Sequence, residues 1–368
     1  MDASPGTTSH QFFVCFDRGA EPVRWDPYDP TDLPRADCSY LGAVVRAVAE
    51  RWTGPALTFY VTQDPRWLPR YGDDVVAFLL NDAWFRRPEY LGAVLAVARQ
   101  SSGTPWFPMG TLWPVRALSV AALANHLRIL LTRARFHRRT EASAAAAGLP
   151  SPRTGNLLDV PLGYHKQPEL PVTPFAERGT DVYFGGSVVH DTSRGARWKR
   201  VGKKYLGNPK SLYRNAMVVA LERWRDAHPD RTVRLTLTGD FHSVDASAAT
   251  SYGDHMMDCR VALAPRGTSL ESYRVFEGWR YGCVVVADAG GPQPFYQGAP
   301  LVLVRSWDDL DEVLDGLFAD PERMRRLHEA SLEWWRTVCS GEAVGRRLAT
   351  RLESLPGRPH GDAVAAAG

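Results

Sequence analysis

Residues Arg260 to Asp288 read RVALAPRGTSLESYRVFEGWRYGCVVVAD. The run opens on Val261 to Ala264, short and wholly apolar, the pattern of one buried strand. Pro265-Arg266-Gly267 breaks that strand. Thr268 and Glu271 have the spacing of a capping box, so a helix is predicted to start at Thr268. Leu270, Tyr273, Phe276 and Trp279 give that helix an apolar stripe, and Gly282 suits its C′ position. Cys283 to Ala287 is apolar throughout and predicts a second buried strand. Strand, tight turn, helix, strand is one unit of a parallel α/β sheet.

Chemistry is expected at the turn. A helix N-terminus presents unpaired N–H groups and a partial positive charge, which suits a phosphate. Arg266 lies just before it, and its planar fork reaches two phosphate oxygens. Gly267 lets the backbone come close, and Thr268 and Ser269 add hydroxyls. Arg274 has two readings, a donor-site cation or an intrahelical partner of Glu277 or Glu271. Glu277 follows about two turns on, where a carboxylate can accept both hydroxyls of a ribose. The same residues also fit a plain capped helix with an Arg–Glu surface pair.

Ser251-Tyr252, the run from Cys259 to Gly267, Arg274-Val275-Phe276-Glu277 and Tyr281 to Val286 together resemble the exostosin-like glycosyltransferases. In that family the motif closes the donor pocket of a GT-B fold, in which two Rossmann-like domains face a cleft. The resemblance is close over Ser251 to Asp288 and weaker from Asp181 towards the C-terminus. Before that it is limited to general layout. Val286 stands where the family often has Pro. The resemblance implies a metal-independent, inverting glycosyltransferase using a nucleotide-diphosphate sugar, UDP-sugar favoured, with no other cofactor. The acceptor (glycan, small molecule or peptide) has no motif. The donor would lie on Gly185, Gly186, Ser187, Arg266, Gly267, Thr268, Ser269, Arg274 and Glu277. A nucleotide-sugar 2-epimerase and a non-catalytic nucleotide-sugar-binding protein are the alternative readings.

The chain has 368 residues, 44% of them hydrophobic and 23% charged, as in a soluble two-domain protein. No apolar run is long enough for a membrane-spanning helix, and the N-terminus MDASPGTTSHQ lacks the pattern of a secretory signal. Cys15, Cys38, Cys259, Cys283 and Cys339 are scattered, without metal-ligand spacing, and suit reduced thiols in a cytoplasm. A net charge of +3 does not argue for nucleic acid.

In chain order, Phe12 to Phe16, Leu57 to Val61 and Val75 to Leu80 read as strands, and Glu89 to Ala98 and Val115 to Arg138 as helices. These alternate as in a first Rossmann-like domain over residues 1–165. Thr140 to Arg153 reads as a loop. Asp181 to Phe184 opens a second domain over residues 166–340, with Gly185-Gly186-Ser187 as the turn where a diphosphate rests. A helix over 341–355 is expected to return to the first domain, and 356–368 to be disordered. Arg194, Arg197, Lys199, Arg200, Lys203, Lys204, Lys210 and Arg214 form a basic run with no acid between Asp191 and Glu222. It reads as a solvated loop or as a contact for phosphate or an anionic acceptor, since no nucleic-acid module surrounds it. Asp309-Leu310-Asp311 has the form of a metal motif but opens a helix, where acids belong anyway. For a catalytic base, Asp82 ranks first and Asp17 second, both following strands, with His165 near the domain boundary as a third.

Overall fold

The computed structural model describes residues 9–29, 38–80, 87–100, 117–151, 155–165, 169–188, 209–238, 246–267 and 271–355. The elements begin with β1 (Gln11–Cys15), β2 (Val23–Arg24), α1 (Cys38–Arg51), β3 (Thr58–Thr62) and β4 (Gly72–Leu79). β5 (Val94–Gln100), α2 (Ala117–Ala146), β6 (Leu157–Val160), β7 (Thr180–Ser187), α3 (Pro209–Ala227) and β8 (Val233–Thr238) come next. α4 (Ala246–Asp258), β9 (Cys259–Ala264), α5 (Tyr273–Arg280), β10 (Val284–Ala287) and β11 (Leu301–Leu303) follow. The last elements are α6 (Leu310–Phe318), α7 (Pro321–Trp334) and α8 (Gly341–Glu353). They form two units, each built on one sheet: β1 to β6 with α1 and α8, and β7 to β11 with α3 to α7. Helix α2 contributes residues to both.

The first sheet has the order β2-β1-β3-β4-β5-β6 and is parallel except for β2, which runs antiparallel to β1. β3 and β5 are buried at every position, as strands of a parallel sheet covered on both faces must be. One face carries Phe13, Cys15, Tyr60, Val75, Ala77, Leu79 and Val97 under Leu68, Tyr90 and Leu91. Two sequence expectations change here, and one strand is added. Residues 89–98 are not one helix but a short 3-10 turn, Glu89–Gly92, followed by β5. Val94 to Ala98 is apolar at every position, which a doubly covered strand explains and a one-sided helix does not. The Ala-rich segment after Thr140 continues α2 to Ala146, in line with alanine's helix propensity. β6 turns Leu158 and Val160 inward while Asp159 is exposed, a strand too short to announce itself by pattern.

Helix α8 packs on α1 within this unit, as expected of the terminal helix. Gly341 and Gly345 make the close approach. A Cβ at Gly345 would lie 2.5 Å from the Ala47 Cβ and 2.6 Å from the Val44 oxygen, and one at Gly341 2.5 Å from the Ala43 Cβ. Ser340 caps the helix by accepting from the Ala343 N–H at 3.2 Å.

The second sheet is parallel throughout, in the order β11-β10-β9-β7-β8. Counted along the chain from β8 this is 2-1-3-4-5, one of the two common doubly wound orders. Val182, Phe184, Val261, Leu263, Val284 and Val286 face α3 and α6 through Met217, Leu221, Trp224, Leu310 and Leu314. The other face carries Ala264, Val285 and Ala287 against Phe276 and Trp279 of α5. The chain runs from β7 outward to β8 and then back across β7 to β9. The strand order therefore reverses between β7 and β9, and the crevice outside their carboxyl ends is where ligands of such sheets bind.

Helix α5 starts one turn later than its apparent capping box. Ser272 is at the cap position, extended (φ −138°, ψ 135°) and without a side-chain cap bond. A Cβ at Gly267 would lie 2.2 Å from the Glu271 carbonyl oxygen. The end of α5 follows the sequence: Gly282 has φ +70°, its N–H donates to Trp279 O at 3.1 Å, and Cys283 N–H donates to Gly278 O at 2.8 Å. Those are the two bonds of a Schellman motif.

Candidate functional site

The candidate site is built at the carboxyl ends of β7, β9 and β10. Gly185-Gly186-Ser187 does not form a turn: all three residues stay in β7, opposite Thr236, Leu237 and Thr238 of β8. The glycines supply space instead. A Cβ at Gly185 would lie 2.2 Å from the Tyr183 hydroxyl oxygen, and one at Gly186 would lie 1.6 Å from Nη2 of Arg274. Gly186 also has φ +146°, which side-chain-bearing residues adopt at a cost.

Two arginines converge on this strand end. Arg274, on the first turn of α5, donates from Nε to Gly185 O at 2.5 Å and lies 5.0 Å from the Phe184 ring centroid. Arg214, on α3, donates from Nη1 to Ser187 O at 2.5 Å. Its side chain is buried, and its Nε has no hydrogen-bond partner. Among the described residues neither guanidinium forms an ion pair. Burial first, and the Arg274 charge second, push Arg214 down to about 9 against an opposing pull from the Asp288 charge, so it stays cationic at neutral pH.

Arg266 is held differently. It is 3% exposed and donates from Nε to Asp288 Oδ2 at 2.5 Å and from its backbone N–H to Oδ1 at 2.8 Å. Nη2 donates to Asp288 O at 3.2 Å, and the guanidinium lies 3.7 Å from the Tyr213 ring centroid. This buried pair ties the end of β9 to the end of β10 and sets the position of the Pro265-Arg266-Gly267 turn. Glu277 is also buried. Its Oε2 accepts from the Tyr252 hydroxyl at 2.8 Å and its Oε1 from the His165 backbone N–H at 3.4 Å. Burial, and then the Glu277 charge, push the Tyr252 phenol well above its ordinary value.

The structure thus brings Gly185, Gly186, Ser187, Arg266, Gly267, Arg274 and Glu277 into one neighbourhood of the second unit. Thr268, Ser269 and Asp82 lie outside the described residues. Asp17 is exposed in the turn after β1, where its carbonyl accepts from the Ala20 N–H at 3.3 Å. The adjacent Arg18 pairs with Asp64 through two bonds of 2.8 and 3.0 Å. Asp311, of the acidic Asp-Leu-Asp, accepts from Arg223 Nε at 2.7 Å. Among the described residues no cluster of three His, Cys, Asp or Glu side chains is placed to hold a metal ion. Sequence reasoning singled out neither Arg214 nor Asp288 as a site residue. Arg214 carried a signal as the last cation of the basic run. Asp288 carried its place at the end of a predicted strand.

No protein-family profile matches the chain, and no curated protein matches it by sequence. Among solved structures it is similar to a GtfA/B complex, at TM-score 0.38 and 12% identity over 77% of this chain and 57% of that one. It is also similar to HepE of Anabaena, solved with UDP, at TM-score 0.37 and 11% identity over 87% and 96% of the two chains. UDP-GlcNAc 2-epimerase of Neisseria meningitidis, bound to UDP-GlcNAc, gives 0.35 and 12% over 87% and 97%. The chain spans a little over half of the first of these. At such scores the likeness adds nothing to the strand order described above.

Proposed function

We propose that the second unit binds a nucleotide-diphosphate sugar and that the protein is a glycosyltransferase. The observation that carries this reading is the pair Arg214 and Arg274. Two guanidiniums meet at the point where the strand order reverses, one of them buried, and among the described residues neither forms an ion pair. The Asp288 charge, held on Arg266, offsets that of Arg214 only in part. A dianionic diphosphate supplies the missing charge, and an arginine fork matches its oxygens. Gly186 makes room for the Arg274 guanidinium, and Gly267 for the Glu271 carbonyl oxygen. Arg266, locked on Asp288, positions the turn, and Glu277, anchored by Tyr252 and by the His165 backbone, is the carboxylate assigned to the ribose hydroxyls. During transfer the two arginines would stabilise the charge of the leaving diphosphate. UDP is the favoured carrier, and the acceptor class stays open.

A thermal-shift panel with UDP, GDP, dTDP and ADP tests the reading. At about a hundred times its dissociation constant a ligand stabilises by roughly 2.7 kcal/mol, which raises the melting temperature by several degrees. One diphosphate is expected to do so. No shift with any of the four would sink the proposal.

A further inference from the structure

Cys259 opens β9 and Cys283 lies just before β10, at the amino ends of these strands and away from the arginine site. Their sulfurs are 3.5 Å apart, and both residues are 0% exposed. Both thiols are directed at the Met256 carbonyl oxygen, at 3.3 and 3.2 Å. Arg178, 1% exposed, closes the group. Its Nη1 lies 3.9 Å from the Cys283 sulfur and donates to Cys259 O at 2.7 Å. Nη2 donates to Tyr281 O at 2.5 Å and Nε to Thr173 O at 3.3 Å. Among these partners only the Cys283 sulfur ionises.

We propose that Cys259 and Cys283 form an oxidation site, which a small peroxide converts into an intramolecular disulfide joining β9 to β10. Burial pushes the Cys259 thiol well up. Burial acts in the same direction on Cys283, but the Cys259 hydrogen bond and the Arg178 charge outweigh it and hold Cys283 below the ordinary thiol value. Cys283 is therefore the attacking sulfur. Its thiolate takes one oxygen of the peroxide, the O–O bond breaks, and the departing hydroxide leaves as water with a proton. The resulting sulfenic acid is attacked by the Cys259 sulfur. The S–O bond breaks and a second water leaves. Two thiols and one hydrogen peroxide become one disulfide and two waters. Complete burial sets the size of the oxidant, admitting peroxide on local opening while excluding a bulky disulfide such as oxidised glutathione.

The test treats the full chain with hydrogen peroxide, alkylates the remaining thiols in denaturant and digests without reductant. The expected result is a peptide linking Cys259 to Cys283, lighter by two hydrogens than the reduced pair. It is regenerated to free thiols by dithiothreitol and absent after oxidised glutathione. In Cys259→Ser the Cys283 sulfenic acid accumulates and is trapped by dimedone. Cys15, buried and pushed up to about 11, stays alkylatable in the same sample. If Cys259 and Cys283 both stay alkylatable while other cysteines oxidise, or if Cys259 is the residue trapped first, the proposal is overturned. The native-chain mapping decides even where the serine variant does not fold.

Discussion

Gly186 and Arg274 occupy each other's space, so one should be testable through the other. A methyl at Gly186 displaces the Arg274 guanidinium. Gly186→Ala is therefore expected to weaken diphosphate binding about as much as Arg274→Met does. That loss is about 10- to 150-fold, from the roughly 1.5–3 kcal/mol of hydrogen bonds to a charged group. Calorimetric titration of both variants checks it, and full affinity in Gly186→Ala would contradict it. Arg214 adds a pH dependence. Its charged form is present below about 9 in the free protein, and a bound anion favours that form. Affinity should hold up to about pH 9 and fall above it, and Arg214→Met should lack that fall when titrated over the same range. Arg266 is a poorer probe of binding. Removing either partner of its buried pair with Asp288 leaves an uncompensated charge and costs roughly 3–5 kcal/mol, so Asp288→Ala should lower the urea midpoint sharply with or without ligand. The sequence made Arg266 the obvious anion ligand because it precedes a helix. It held no sign that Asp288, 22 residues on, takes its Nε, whereas Arg214 was hidden in a run of like charges.

At the scale of elements, the punctuation that glycine provides was legible where backbone conformation required it. Gly282 closes α5 with φ +70°, and a Cβ there would also lie 2.8 Å from the His328 ring. Gly282→Ala is expected to cost at least about 1 kcal/mol, read as a shift of the denaturation midpoint. Gly345 answers to packing instead. Gly345→Val would push α8 off α1 and cost on the order of 1–3 kcal/mol by overpacking. Gly345→Ala should fall between that variant and the native chain in thermal unfolding. The misread elements share one cause. Val94 to Ala98 and the Gly185–Ser187 segment read in the sequence as helix and turn, and both are drawn into strands by pairing with neighbours distant in sequence. The Thr268–Glu271 spacing likewise promised a cap that the chain places at Ser272. Local spacing has no access to such pairings.

At the scale of the molecule, alternation of strands and helices sufficed to anticipate two parallel α/β units. The order of strands in each sheet was not legible, because periodicity says which residues are buried and not which strand lies beside which. That order is what separates the units. The parallel strands of the first sheet follow one another in sequence, β1-β3-β4-β5-β6, whereas the second reverses between β7 and β9. Among the described strands, only the second sheet therefore has the crevice at a reversal point where doubly wound sheets hold ligands. It is also the one that gathers arginines at its strand ends. The most direct measurement is calorimetric titration of the native chain and of the Arg214→Met, Arg274→Met double variant with UDP, matched for thermal stability. The account predicts saturable one-to-one binding by the native chain and its loss in a folded double variant. Undiminished binding in that variant would mean the nucleotide lies elsewhere and the two arginines serve another end.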